Sequence, residues 1–330
     1  MERAFQGKEF WKNYMHKWYG EDLIAKSNVI EEDYILSEGT EIHLDVYPIS
    51  KERPTVVFCH GLVGYGRVML PFTIPLYERG YNVVAPDLMG YGNSKGKKGD
   101  FTWNHWLANL RDCVSYARGR FGDDVILSGA SMGGPLAYAA AARHGNVDAV
   151  ICYCLWDLQM KEFIEGTVNF GKWTYLVLQL FKMAAKIAPR YRIKNSMLIS
   201  YAKLTDSDEM NHMLEFEDPL SCNVISVRAA VSLITQSKLD IPPEKFPYPT
   251  LVVYPSGDRM ANEEFAKRMY KALTCDKRIV PFEGSDHFTT HRHYFEDVWG
   301  PEADVWIKEH VLQPSSAHDA AGRELEEAHS

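Results

Sequence analysis

The chain lacks the features that would place it in a membrane, in a secretory route or on a nucleic acid. Residues 1–9 contain no apolar core of a leader peptide. A strongly apolar segment, residues 173–187, is short and broken by Lys182 and Lys186, whereas a spanning helix needs about 20 largely uncharged residues. Basic residues are in deficit, 36 Lys and Arg against 44 Asp and Glu, for a formal net charge of −8. That balance argues against nucleic acid and against a strongly anionic surface as partners. The six cysteines (Cys59, Cys113, Cys152, Cys154, Cys222, Cys275) are scattered in apolar surroundings. No second pair matches Cys152 and Cys154 at metal-site spacing. Buried free thiols in a reducing cytoplasm are therefore expected, not a disulfide framework. No repeat and no low-complexity tract interrupts the chain.

What remains is an ordinary globular composition, 46% hydrophobic and 24% charged over 330 residues. That length suits one large α/β domain, or a core carrying an inserted smaller domain. Residues 1–32 form an aromatic arm in which Phe10, Trp11, Tyr14, Met15 and Trp18 recur at helical spacing. The arm is expected to pack on the protein's own surface, with a lipid surface or a site entrance as alternatives. An antiparallel hairpin at a sheet edge is expected over 34–37 and 42–47. From residue 54 to 155, continuous apolar runs alternate with helical patterns. Such alternation predicts a mostly parallel sheet with both faces covered. The rhythm stops after Trp156, and residues 156–245 read as a helical cap with helices over 173–187, 197–203, 206–214 and 223–237. It resumes over 246–312, with strands at 250–254 and 278–281 and helices at 262–273 and 294–312. Residues 313–330 read as a polar, loosely ordered tail.

One stretch of the core carries a chemical signal. An apolar strand over 125–128 meets Gly129-Ala130-Ser131-Met132-Gly133, and a small-residue helix follows. The spacing of Gly129 and Gly133 about Ser131 is that of a nucleophile elbow, where a strained strand-to-helix turn leaves no room for side chains two residues away. The serine is then presented at a helix N-terminus, which favours developing negative charge. A serine nucleophile needs a base, and the base needs an orienting acid, each in a loop after a parallel strand. Asp258 and His287 satisfy this after the strands at 250–254 and 278–281; Asp286 is a second choice for the acid. His287, His291 and His293 could suggest a metal cluster, but polar histidines at a helix start explain the last two more simply. Gly61, Gly64 and Gly66 are followed by no Gly-Lys-Ser/Thr, which argues against a phosphate cradle. His60 is expected to be structural, and Asp87 to hold the turn around Gly90 and Gly92.

These motifs (His60-Gly61-Leu62, Asp87-x-x-Gly90-x-Gly92-x-Ser94, Gly129-x-Ser131-x-Gly133, Gly257-Asp258-Arg259 and Ser285-Asp286-His287) resemble those of an α/β-hydrolase with an inserted helical cap. The resemblance is to the branch of monoacylglycerol lipases, lysophospholipases and carboxylesterases. It implies a Ser131–His287–Asp258 triad, with an oxyanion hole from the amides of Met132 and Leu62. It also implies no cofactor and no metal. One departure is Tyr254-Pro255, where relatives often carry His-Gly. The cap's apolar side chains (Trp156, Phe163, Phe170, Trp173, Tyr175, Leu176, Leu178, Leu180, Phe181 and Met183) favour a small apolar or aromatic ester. Lactone or carbon–carbon hydrolysis and acyl transfer remain open, and so does amide hydrolysis, for which Glu162, Glu165, Asp206, Asp208, Glu209, Glu215 or Glu217 could hold a substrate amine. A binding protein without catalysis on the same fold is a further alternative. A cytoplasmic monomer or homodimer is expected, with weak membrane contact possible through the arm.

Overall fold

A computed structural model describes residues 8–313, so the expected tail lies outside the described residues apart from Gln313. The chain opens with α1 (Lys8–Tyr19) and α2 (Glu21–Lys26), followed by the hairpin β1 (Glu31–Ser37) and β2 (Thr40–Tyr47). The alternating section comprises β3 (Thr55–Cys59), α3 (Leu70–Glu78), β4 (Asn82–Pro86), α4 (Trp103–Phe121), β5 (Val125–Ala130), α5 (Gly133–His144) and β6 (Ala149–Tyr153). The chain then leaves the sheet through α6 (Lys161–Thr167), α7 (Thr174–Ile187), β7 (Arg192–Lys194), α8 (Asp208–His212), β8 (Val224–Ser226) and α9 (Val227–Thr235). It returns with β9 (Thr250–Pro255), α10 (Glu263–Ala272), β10 (Lys277–Phe282) and α11 (Gly300–Ile307).

Eight strands form one sheet in the order β1-β2-β4-β3-β5-β6-β9-β10. Only the β1–β2 and β2–β4 pairs are antiparallel. Every residue of β3, β4, β5, β6 and β9 is buried, as their unbroken apolar runs require. The edge strands β1 and β10 are only partly covered. Because β4 and β5 lie on opposite sides of β3, the loops after β3 and β5 diverge there. Such a switch point opens a crevice at the carboxyl ends of the strands.

The cap departs from the expected helices in two places. Residues 197–203 form no α-helix but short 3-10 turns at Asn195–Met197 and Tyr201–Lys203. The segment expected as a helix from residue 223 starts as β8, paired antiparallel with β7. Strands of three residues are too short to display a period-two pattern. Near the C-terminus, π-helical turns at Tyr294–Trp299 and Lys308–Leu312 flank α11. Pro301 has no N–H to return to the preceding turn, and the carbonyl of Glu296 accepts from Arg79 instead.

The arm's destination is also settled. Trp11, Tyr14, Met15 and Tyr19 are buried against the core. Trp11 Nε1 donates to the carbonyl of Arg67, Tyr19 OH donates to that of Thr289, and Lys17 pairs with Glu209 of the cap. The aromatic face of α1 is thus turned inward. Among the described residues, no helix is long and apolar enough to cross a membrane, and all six cysteines are free.

Candidate active site

Ser131 sits between the end of β5 and the start of α5 with φ of 57°, a left-handed conformation rare for a residue with a Cβ. Its amide donates to the carbonyl of Tyr153, and its carbonyl accepts from Gly134. The turn is held by contacts that exclude side chains. A Cβ on Gly129 would lie 2.4 Å from the carbonyl oxygen of Gly133, and one on Gly133 would lie 2.4 Å from that of Cys59.

The structure brings three of the predicted residues into one hydrogen-bonded line. Ser131 Oγ stands 2.7 Å from His287 Nε2, and His287 Nδ1 stands 2.6 Å from Asp258 Oδ2. Asp258 Oδ1 accepts from the amides of Met260 and Ala261 at 2.7 and 2.9 Å. Burial pushes the Asp258 carboxyl upward, but the charge and hydrogen bond of His287, with those two amides, outweigh it. The group stays ionised below its ordinary range. Asp286 points away, accepting from the amide of Asp206. His291 and His293 are exposed whereas His287 is buried, so the three histidines form no cluster. Cys154, which the sequence reading left aside, lies buried beside Asp258 and His287, with its backbone also left-handed at φ 71°.

The loop after β3 passes directly beside Ser131. A Cβ on Gly61 would lie 2.8 Å from Ser131 Cβ and 3.1 Å from its Oγ. His60 holds this loop. Its Nε2 accepts from the amide of Leu88 at 3.0 Å, which leaves the proton on Nδ1 to donate to the carbonyl of Gly61 at 2.7 Å. Burial lowers the His60 pKa to about 4, so the ring is neutral, as that tautomer needs. In a trans peptide the C=O and N–H point oppositely, so fixing the carbonyl of Gly61 also fixes the direction of the Leu62 amide. Neither the Leu62 nor the Met132 amide has a protein acceptor among the described residues.

Beyond Gly61 the same loop is tied to a buried ionic network. Asp87 Oδ1 accepts from the amide of Gly66 at 2.6 Å, and Oδ2 accepts from that of Asn93 at 2.6 Å and meets His43 Nδ1 at 2.9 Å. Burial pushes the His43 imidazole down, but Asp87, Glu32 and Asp45 overcompensate and raise it to about 10. For Asp87, burial is likewise outweighed, here by His43 and the backbone donors, and the carboxyl falls to about 2. The consequences for stability have opposite signs. The contribution of His43 is complete below its ordinary value of 6.5 and is lost as pH rises through about 10. That of Asp87 is complete above 3.8 and is lost as pH falls through about 2. Melting temperature should therefore decline above about pH 6.5, and His43→Gln should lower the whole curve while flattening that decline. An unchanged alkaline slope in the variant would remove His43 from this account.

Ser131 separates two chambers. The larger, of about 1090 Å³ counting the space open to solvent, runs under the cap and is lined by Phe163, Phe170, Leu178, Phe181, Ile225 and Leu233, among others. Of the apolar cap side chains named from sequence, Phe163, Phe170, Leu178 and Phe181 line this chamber. Trp173, Leu176, Leu180 and Met183 instead face solvent. The smaller chamber, of about 660 Å³ on the same count, lies toward the arm and is lined by Tyr14, Tyr19, Thr289, His287 and residues 61–64. Leu62, Val63, Ser131 and Phe288 belong to both. Tyr14 reaches this chamber from the arm's aromatic face, in keeping with the site entrance given as an alternative for the arm, whereas Tyr19 was not singled out from sequence. Among the described residues, neither chamber is lined by an Asp or a Glu.

A mostly parallel eight-stranded sheet, a left-handed serine at a strand–helix turn and a buried His–Asp pair at the crevice define a serine hydrolase of the α/β-hydrolase fold. The chain belongs to the family described as serine aminopeptidase, S33, whose model matches residues 50–291. It is similar to an uncharacterized 31.7 kDa protein of Escherichia coli, 22% identical over 84% of this chain and 99% of that protein. Among solved structures it is similar to the monoacylglycerol lipase of Paleococcus ferrophilus, with a TM-score of 0.63 at 20% identity over 81% of this chain and 96% of that one. A soluble variant of the monoglyceride lipase of Saccharomyces cerevisiae gives 0.66 at 17% identity, over 86% and 95%. At these identities the structural likeness concerns the fold.

Proposed function

We propose that this protein hydrolyses carboxylic esters of apolar acyl or aromatic acids, with monoacylglycerol-like esters as the substrate class, and that residues 156–245 act as the cap that selects them. The observation that supports this most is the apolar chamber opening directly on Ser131. The family description points instead to aminopeptidases, which must hold a substrate ammonium. The carboxylates that the cap could have offered, from Glu162 to Glu217, line neither chamber. Burying an unpaired ammonium among aliphatic side chains is strongly unfavourable, so the ester reading is preferred over the amide one.

In this mechanism Ser131 Oγ attacks the ester carbonyl while His287 Nε2 takes its proton, and Asp258 holds the imidazole and its developing charge. The oxyanion forms beside the amides of Met132 and Leu62, a type of contact worth about 3 kcal/mol per donor. The intermediate collapses as His287 passes its proton to the leaving alcohol, leaving the acyl group on Ser131. A water, activated by the same nitrogen, then releases the acid. The acyl chain occupies the chamber under the cap. The alcohol leaves on the side of the arm, where burial keeps the phenols of Tyr14 and Tyr19 protonated as neutral hydrogen-bonding groups.

A series of p-nitrophenyl esters of increasing acyl length, run beside aminoacyl arylamides, tests this reading. Turnover should rise from acetate toward medium chains, with arylamides slower by at least about tenfold. Leu178→Trp, which fills the chamber from α7, should move the optimum toward shorter acyl groups. Arylamides as the better substrates would overturn the ester reading and leave the triad standing.

A further inference from the structure

The cap helix α7 is apolar on two sides, and the chamber accounts for only one. Its inward residues Thr174, Val177, Leu178 and Phe181 line that chamber. At about 100° per residue, Trp173, Leu176, Leu180, Met183 and Ile187 form a single stripe on the other side. Their exposures are 62%, 58%, 59%, 62% and 87%. A surface helix ordinarily turns its polar face outward, and a contiguous exposed apolar stripe marks an interaction site. The charge around it is equally one-sided. Residues 166–205 carry seven Lys or Arg and no Asp or Glu, in a chain whose net charge is −8. Lys182 and Lys186 flank the stripe on α7 itself and Lys172 lies in the turn just before it, and none of the three has an ion-pair partner among the described residues.

We infer that the outer face of α7 docks on an anionic phospholipid surface. The stripe enters the boundary between headgroups and acyl chains, and the flanking lysines meet the lipid phosphates. At 14 residues the helix is too short to span and lies in the plane of the surface. A second copy of the chain fits less well, because an isologous contact through this stripe would bring Lys182 and Lys186 toward their own counterparts. The contact also differs from one through the arm, whose aromatic face is turned into the core. If the proposed ester activity holds, on which this clause alone rests, docking sets the acyl chamber one helix away from a surface in which monoacyl esters reside.

The test uses the full chain carrying Ser131→Ala, so that binding is read without turnover. It is sedimented with vesicles of phosphatidylcholine alone and of phosphatidylcholine mixed with phosphatidylglycerol. Preferential binding to the mixed vesicles is expected, weakening with salt. Two double variants, L180Q with M183Q and K182E with K186E, should each bind about tenfold more weakly or worse, with melting temperature confirming that each still folds. None of these four side chains lines either chamber, so in the Ser131 background turnover of a soluble ester should be kept. Equal binding to both vesicle types, or undiminished binding by both variants, would overturn the inference. So would lipid-free self-association abolished by L180Q with M183Q, which would assign the stripe to a second copy. Loss of ester turnover by the wild type, with vesicle binding kept, would count against the ester reading alone.

Discussion

Asp258→Asn should lower kcat on a soluble aryl ester about 10,000-fold, with KM and melting temperature little changed. The size follows from hydrogen-bond polarity, not from lost bulk. Asp258 Oδ1 is held by two backbone donors, the amides of Met260 and Ala261, so the oxygen of an asparagine must take that place. Its NH2 group then faces His287 Nδ1, which currently stands 2.6 Å from Oδ2. The imidazole can meet that NH2 only by moving its own proton to Nε2. A protonated Nε2 cannot accept the hydrogen of Ser131, although the two atoms remain 2.7 Å apart. The fold survives while the chemistry stops. A loss below about tenfold would mean that the orientation of His287 does not depend on Asp258.

The largest effect on stability is expected at Gly134, just beyond the elbow. A Cβ there would lie 1.9 Å from the carbonyl oxygen of Cys154, a backbone atom with little freedom to retreat. Cys154 is itself left-handed at φ 71°, and its amide is bound to the carbonyl of Val253 in the neighbouring strand. Gly134→Ala should therefore destabilise the protein by about 3 kcal/mol or more, and the displacement should reach Ser131 three residues away. Gly119→Ala is the matched control. That glycine is an exposed position inside α4 with nothing within 4 Å of the added carbon. It should gain about 1 kcal/mol from helix propensity alone. Thermal melting of the two variants reads both signs in one experiment. A mild effect at Gly134 would show that the elbow yields more easily than its packing implies.

The features legible in the sequence were those written over a few residues. Continuous apolar runs with turns after them located β3, β4, β5, β6 and β9, because strands buried on both faces need no polar alternation. The elbow was visible because crowding demands glycine at fixed offsets from Ser131. Asp258 and His287 were each found from a loop after a strand, before any distance joined them. The cap was less legible for a physical reason. The three-residue strands β7 and β8 and the 3-10 turns between them carry no period that a sequence window can resolve. Sequence also could not tell which apolar cap residues face the chamber. Leu178 and Leu180 are two apart on one helix, yet one lines the chamber and the other is 59% exposed. Likewise the spacing of Trp11, Tyr14 and Met15 announced an apolar face without saying what it covers. That it closes a chamber beside Ser131 depends on where β3 and β10 deliver their loops, which is a property of the tertiary fold.

The central claim is that Ser131 is the nucleophile, activated by His287 and open to an apolar acyl chamber. Intact-mass analysis after exposure to a long-chain alkyl fluorophosphonate tests it most directly. One phosphonyl adduct, mapped to Ser131, absent from Ser131→Ala and formed far more slowly in His287→Ala, is the predicted result. An adduct that persists in Ser131→Ala, or one mapped to another residue, would contradict it.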